Sequence, residues 1–509
     1  MFWRVLPVLF IVACTSPGDE RFAVSDDTAR VFARAYEQVA DLYIEPKLPA
    51  DTAWPGLAKL IALDPTLELE RTDDSLLLKR EGTLVERLPR PADTDARAWG
   101  AATSAVIGAA RRVSPTLDAL DRDKLEQAVF DGIVGSLDKY SRYAPPSVAR
   151  DQRASRDGFG GIGIQLDRED LTRVVKVMPG TPAHRAGLKA EDRIATIDGV
   201  PTDAIEKVEI TRRLRGPVDS SVEVTVARAG LPRPLAVTMK RAFIIVPTVE
   251  EQREDGILIF KVSGFNHSTA QQLADRVVAA RKEMGPRLRG IVLDLRGNPG
   301  GLLDQSVSVA DLFIGETGLI VSTRGRNPAS QQYFRAAPDD VAGGLPLVAL
   351  VDGGSASAAE IVAAALQDTG RAVVVGSASY GKGTVQTVLR LPNDGELTIT
   401  WARLVSPAGY SLNEHGVVPT VCTSGLGSGD EAVARAVKRG LEASRQRAEL
   451  DEDAWAALRK TCPGMNGEPR DLELRVAKRL LSDRRLYTRV LHPRPPSFAS
   501  SRAAATGAP

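Results

Sequence analysis

Apolar residues Val31, Ala35, Val39 and Leu42 recur at helical spacing across 28–45 and stop at Glu45-Pro46, which predicts a first amphipathic helix. Leu67-Glu68-Leu69-Glu70 and Leu76-Leu77-Leu78 flank the polar turn Thr72-Asp73-Asp74-Ser75, the pattern of a hairpin; a Pro-rich stretch at 88–91 and an Ala-rich helix over 95–112 follow. Leu125, Val129, Ile133 and Val134 share one side of a helix over 121–138. At Gly158 the texture changes to short β-rich runs at 173–177, 193–197, 221–227 and 236–240, punctuated by Met178-Pro179-Gly180 and Ile197-Asp198-Gly199. Such spacing predicts a small, mostly β module. From 256 the period alternates: strands at 257–262, 290–295, 346–351 and 372–376, and helices at 269–283, 303–314 and 357–368. That alternation predicts an α/β domain built from crossover units. After 427 the chain reads as charged and helical, with a disordered tail at the end.

A chain of 509 residues exceeds what one core needs and implies several domains. Sixty-six Lys+Arg against 65 Asp+Glu offer no general attraction for nucleic acid or an anionic surface, so partners must be sought in local sites. At the N-terminus, Arg4 precedes an apolar run at 5–12 that is too short for a permanent span and ends at Cys14. This stretch resembles a bacterial lipoprotein signal: residues 1–13 would be removed, Cys14 lipidated, and 14–27 left as a tether. The alternative is a buried N-terminal strand. A lipid on Cys14 would leave Cys422 and Cys462 as an even pair in an oxidising compartment, which predicts a disulfide; two unrelated buried thiols are the alternative.

Three segments hold candidate chemistry. The strand around Asp294 runs into Arg296-Gly297-Asn298-Pro299-Gly300-Gly301, and Gly376 to Lys382 fits a phosphate-loop spacing. A nucleotide-binding reading fails because Gly383, not Ser or Thr, follows Lys382, and the next residues alternate like a strand instead of opening a helix. In Gly354-Ser355-Ala356-Ser357-Ala358-Ala359-Glu360, Ser357 and Glu360 fit a capping box. They equally fit a nucleophile at a helix N-terminus, hemmed by small residues beside N–H groups suited to an oxyanion. A serine nucleophile needs a base. His184, His267, His415 and His492 are scattered and support neither a Ser-His-Asp triad nor, with the cysteines, a metal cluster. Lys382 can serve only in its neutral form, which burial favours, and Gly381 and Gly383 would let backbone approach closely enough to bury it.

Taken together, Gly-Ser-Ala-Ser-x-x-Glu-Ile, Arg-Gly-Asn-Pro-Gly-Gly, Tyr-Gly-Lys-Gly and the upstream β module resemble the C-terminal processing peptidases, or tail-specific proteases, over about 120–420. The resemblance implies a serine endopeptidase without cofactor, with Ser357 as nucleophile, Lys382 as general base and Gln386 as its orienting group. It further implies an oxyanion hole from the N–H of Ala358 and of Gly300 or Gly301. A PDZ domain at 158–245 would capture substrate C-termini on Gly161, Ile162, Gly163 and Ile164. The expected organisation is an N-terminal helical region at 28–157, departing from the family by an insertion at about 50–115, then the PDZ domain. A crotonase/ClpP-like α/β protease core at 246–426 and a C-terminal extension at 427–509 complete it. Expected partners are protein or peptide C-termini, a membrane through the lipid, and an adaptor or a second copy, with no nucleic acid; the expected location is the periplasmic side of the cell envelope. The competing class is a catalytically silent PDZ scaffold.

Overall fold

The computed structural model describes residues 26–443, 452–467 and 471–491; Cys14 and the signal-like segment lie outside them. The chain divides into two units, the first comprising 1–147 with 386–400 and the second 148–385 with 401–509.

In the first unit, the expected helices form as Asp26–Leu42, Ala96–Val113 and Arg122–Gly135, joined by Pro49–Ile61 and the single turn Pro115–Asp118. Their core is aromatic at its centre, with Phe32, Tyr36, Trp99 and Phe130 fully buried. Two glycines allow close helix packing: a Cβ on Gly100 would fall 2.5 Å from the Ala29 carbonyl oxygen, and one on Gly132 2.2 Å from that of Pro55. The predicted hairpin is a three-stranded antiparallel sheet of Leu67–Arg71, Ser75–Arg80 and Thr83–Pro89. Leu57, Leu60, Leu76, Leu78 and Trp99 share one core with Phe32 and Phe130, so the 50–115 segment is built into this unit.

The second unit begins with the β module. Leu235–Lys240, Ser221–Ala227, Arg193–Ile197 and Val200–Pro201 form an antiparallel sheet in that order. With the helix Lys207–Leu214 and the pair Ile164–Leu166 and Val174–Val177, they enclose a small core of Ile162, Val174, Ile194, Ile197, Val224 and Val226.

Beyond it lies a six-stranded sheet in the order Val249–Glu254, Ile257–Val262, Gly290–Asp294, Leu347–Val351, Val373–Gly376, Val421–Cys422; its first pair is antiparallel and every later pair parallel. The central strands are apolar on both sides because both faces are covered. Ile291, Leu293, Ala349 and Val351 face one core, with helices Thr269–Met284, Leu303–Asp311 and Ala358–Asp368. The alternate residues Val292, Val348, Leu350, Val373 and Val375 face another, made with helices Asp430–Ala443, Asp471–Leu481 and Arg484–Val490. The charged C-terminal helices therefore cover the sheet's second face. Tyr487 hooks onto it, donating to the Leu347 carbonyl (2.9 Å) and accepting from the Leu347 N–H (3.1 Å).

Candidate active site

At the C-terminal end of Leu347–Val351, the chain turns through Asp352-Gly353-Gly354-Ser355-Ala356 into the helix Ala358–Asp368, with Ser357 at the junction. Ser357 has φ 55° and ψ −113° and makes no side-chain cap hydrogen bond. For a residue with a Cβ that conformation costs roughly 1–3 kcal/mol, and the surrounding bonds must hold it. Asp352 Oδ1 accepts from Gly297 N (2.8 Å) and Gly354 N (3.0 Å). Ser355 Oγ donates to the Leu295 carbonyl (2.9 Å), and Ala356 N donates to that of Asn298 (2.9 Å). The serine turn is thus laced to the Arg296–Gly301 loop. Glycine is required there: a Cβ on Gly300 would lie 2.9 Å from Ser357 Cβ and 3.0 Å from Ala358 N.

Glu360, fully buried, is the residue the sequence reading missed as a functional group. Its Oε2 accepts from Ser357 N (2.6 Å) and from Lys382 N (2.9 Å). Its Oε1 accepts from Gly381 N (2.6 Å) and Ser379 Oγ (2.5 Å). Burial pushes this carboxyl above the usual range, opposed by the hydrogen bonds from Ser379, Gly381, Ser357 and Lys382. The Ser-x-x-Glu spacing shows half of this arrangement; the return of the lysine loop onto the same carboxylate, some twenty residues later, has no local signal.

Lys382 is half-buried between close backbone approaches. A Cβ on Gly383 would stand 1.8 Å from Asn413 N, and one on Gly381, at φ 90°, 3.1 Å from the Glu414 carbonyl. The strand Thr384–Arg390 follows, as the alternation predicts. Gln386 lies on it, its Nε2 donating to Thr400 Oγ1 (3.2 Å) within the first unit. Of the three candidate oxyanion donors, the Ala358 N–H opens a helix, where no intrahelical acceptor exists. The Gly300 N–H donates to Asn298 Oδ1 (2.8 Å) in this conformation.

Beneath the serine loop, Asp294 accepts from Arg296 Nε (2.8 Å) and Nη2 (2.7 Å) and lies 3.5 Å from Lys261 Nζ. Burial alone would raise its carboxyl, but Arg296 and Lys261 outweigh it and hold it below the usual range. A depressed acid stabilises the fold above its unfolded pKa, and that contribution disappears as pH falls through the lower folded value. Urea unfolding between about pH 5 and pH 2 is therefore expected to show a steeper loss for wild type than for Asp294→Asn. Equal slopes would contradict the pairing.

In the β module, the Gly161–Ile164 turn borders a cavity of about 230 Å³ lined in part by Phe159, Ile162, Gly163, Ile164, Leu171 and Leu214. The carbonyls of Ile162 and Gly163 accept from Ala183 N (2.9 Å) and Met178 N (2.9 Å), which turns them inward. Ile164–Leu166 pairs only with Val174–Val177, so among the described residues its other edge has no strand partner. Cys422 and Cys462 are disulfide-bonded and join the last sheet strand to the end of the helix Glu452–Thr461.

This architecture, a PDZ-like module preceding an α/β core with a strained serine at a helix start, is that of a serine-type peptidase. The chain belongs to the carboxy-terminal processing proteases of peptidase family S41. The S41 family model matches residues 256–423, and a PDZ domain model matches 173–228. A carboxy-terminal-processing protease of Bartonella bacilliformis is 39% identical over 304 residues, 59% of this chain and 70% of that one. The carboxy-terminal processing protease CtpA of Bacillus subtilis is 32% identical over 306 residues, 59% of this chain and 64% of that one. Among solved structures, the photosystem II D1 C-terminal processing protease aligns over 77% of this chain and 92% of its own at 23% identity, with a TM-score of 0.39.

Proposed function

We propose that the protein is a serine endopeptidase that cleaves protein substrates near their C-termini with a Ser357–Lys382 dyad on a crotonase/ClpP-like core. The observation that carries this reading is the shared acceptor: the backbone N–H groups of Ser357 and Lys382 converge on Glu360 Oε2, which brings two segments distant in sequence side by side. In the proposed reaction Lys382 Nζ, neutral, takes the Ser357 hydroxyl proton as Oγ attacks the scissile carbonyl, then delivers it to the leaving amine. Gln386, four residues along the chain, orients the lysine. The Ala358 N–H, with Gly301 or a Gly300 released from Asn298, stabilises the tetrahedral oxyanion. Water then hydrolyses the acyl-enzyme. A fluorophosphonate probe is expected to label Ser357 of the full chain. A Ser357 that stays unlabelled while peptides still bind would favour a silent PDZ scaffold.

The substrate C-terminus is proposed to add as a strand to the open edge of Ile164–Leu166, its carboxylate on the N–H groups of Gly161 to Ile164. Amidating a peptide's C-terminus removes that charge, so its affinity is expected to fall about ten- to a hundredfold, the worth of charge-assisted hydrogen bonds. Equal binding of acid and amide peptides in a calorimetric titration would defeat tail recognition and leave the Ser–Lys chemistry standing. Localisation to the periplasmic face of the cell envelope through lipidated Cys14 completes the proposal; a mature protein that retains Met1 would overturn the anchor.

A further inference from the structure

The helix Glu452–Thr461 lies outside the matched S41 region, yet it reaches the lysine loop. It is held there by the Cys422–Cys462 bond and by Trp455, buried and stacked on Tyr410 with ring centres 4.0 Å apart. From its last turn, Arg459 donates to the carbonyls of Ser379 (2.7 Å), Tyr380 (3.2 Å) and His415 (2.5 Å). The peptide unit joining Tyr380 to Gly381 is therefore gripped at both ends, its C=O by Arg459 and its N–H by Glu360 Oε1. The unit before it is gripped the same way, its C=O by Arg459 and its N–H by the Ser355 carbonyl (2.9 Å). Together these fix the direction in which the chain enters Lys382. Gly416 marks how close the charges come: a Cβ there would stand 2.8 Å from Arg459 Nη1 and 2.9 Å from Glu360 Oε1.

We propose that Arg459 is a positioning residue for Lys382: its guanidinium orients the peptide units Ser379–Tyr380 and Tyr380–Gly381, which lead into the lysine, and faces the buried Glu360 that accepts from the N–H groups of Gly381 and Lys382. The proposal rests on the Ser357–Lys382 reading. A planar fork that donates to three carbonyls is a function of arginine, which lysine reproduces only in part. Misplacement of a reacting group by about 1 Å costs about a hundredfold in rate without weakening substrate binding elsewhere.

The test compares the full-length wild type with Arg459→Ala and Arg459→Lys by the rate of fluorophosphonate labelling at Ser357, by kcat and KM on a free-acid peptide, and by Tm. Arg459→Ala is expected to lose about a hundredfold in labelling and kcat with KM within about twofold. Arg459→Lys should fall between the two, and added guanidinium ion should restore part of the alanine variant's rate. If the alanine variant does not fold, the lysine variant carries the test through the same split. A folded variant that labels at the wild-type rate, or a loss confined to KM, overturns the proposal. An unlabelled wild type overturns the nucleophile assignment and this proposal with it, whereas a labelled wild type and an equally reactive Arg459→Ala overturn this proposal alone.

Discussion

Alanine at Ser357 or at Lys382 is expected to lower peptide cleavage on the order of 10⁴- to 10⁶-fold, with the double variant no worse than either single one. The reasoning is chemical. Without the hydroxyl there is no nucleophile, and without the amine the hydroxyl keeps its proton, so each change removes the same step. Both variants are expected to fold, because they keep the bonds that tie the two loops together: the backbone N–H groups of Ser357 and Lys382 to Glu360, and those made by Asp352 and Ser355. Cleavage of a free-acid peptide, with circular dichroism as the folding control, measures this. Full activity in either single variant, or losses that multiply in the double variant, would remove the dyad.

The second large effect is expected at Glu360. Changing it to glutamine turns one of two accepting oxygens into an NH₂ group, which then faces either the N–H pair of Ser357 and Lys382 or the N–H of Gly381. Hydrogen bonds to a buried charge are worth about 1.5–3 kcal/mol each, and a donor left facing a donor incurs its full desolvation cost. Glu360→Gln is therefore expected to lose about 3 kcal/mol of stability or more in urea unfolding. In the fraction that folds, Ser357 labelling should slow as well, because the serine turn and the lysine loop lose their common anchor. Unchanged stability together with unchanged labelling would show that the carboxylate is dispensable.

Much of this architecture is legible from residue order because the β module and the α/β core are built from runs whose period is unambiguous. Ile257–Val262 and Arg193–Ile197 coincide with the predicted strands, and Thr269–Met284 and Ala358–Asp368 differ from the predicted helices by single residues. The elements that escaped have identifiable reasons. Pro49–Ile61 carries Pro55 in its interior, a residue that removes a helix hydrogen bond and argues locally against the helix that packing enforces. Thr83–Pro89 has no fully buried residue and so shows no clean alternation. Ser357 and Lys382 stand out as candidates through their glycine and small-residue neighbours, and their proposed roles are what the family resemblance implies. Their meeting on Glu360 is not legible, because a tertiary contact between two loops leaves no periodicity in either. The same holds for Arg459, whose partners are backbone carbonyls without side-chain identity.

The double covering of the six-stranded sheet has a practical consequence for anyone dissecting this enzyme. A fragment trimmed at 423, where the peptidase match ends, would keep every candidate catalytic group. It would also strip the helices from Val292, Val348, Leu350, Val373 and Val375 and leave a broad apolar sheet face in water, a surface that invites aggregation. Insolubility of such a fragment would report on its missing lid of helices, and says nothing about whether the chemistry it carries is intact.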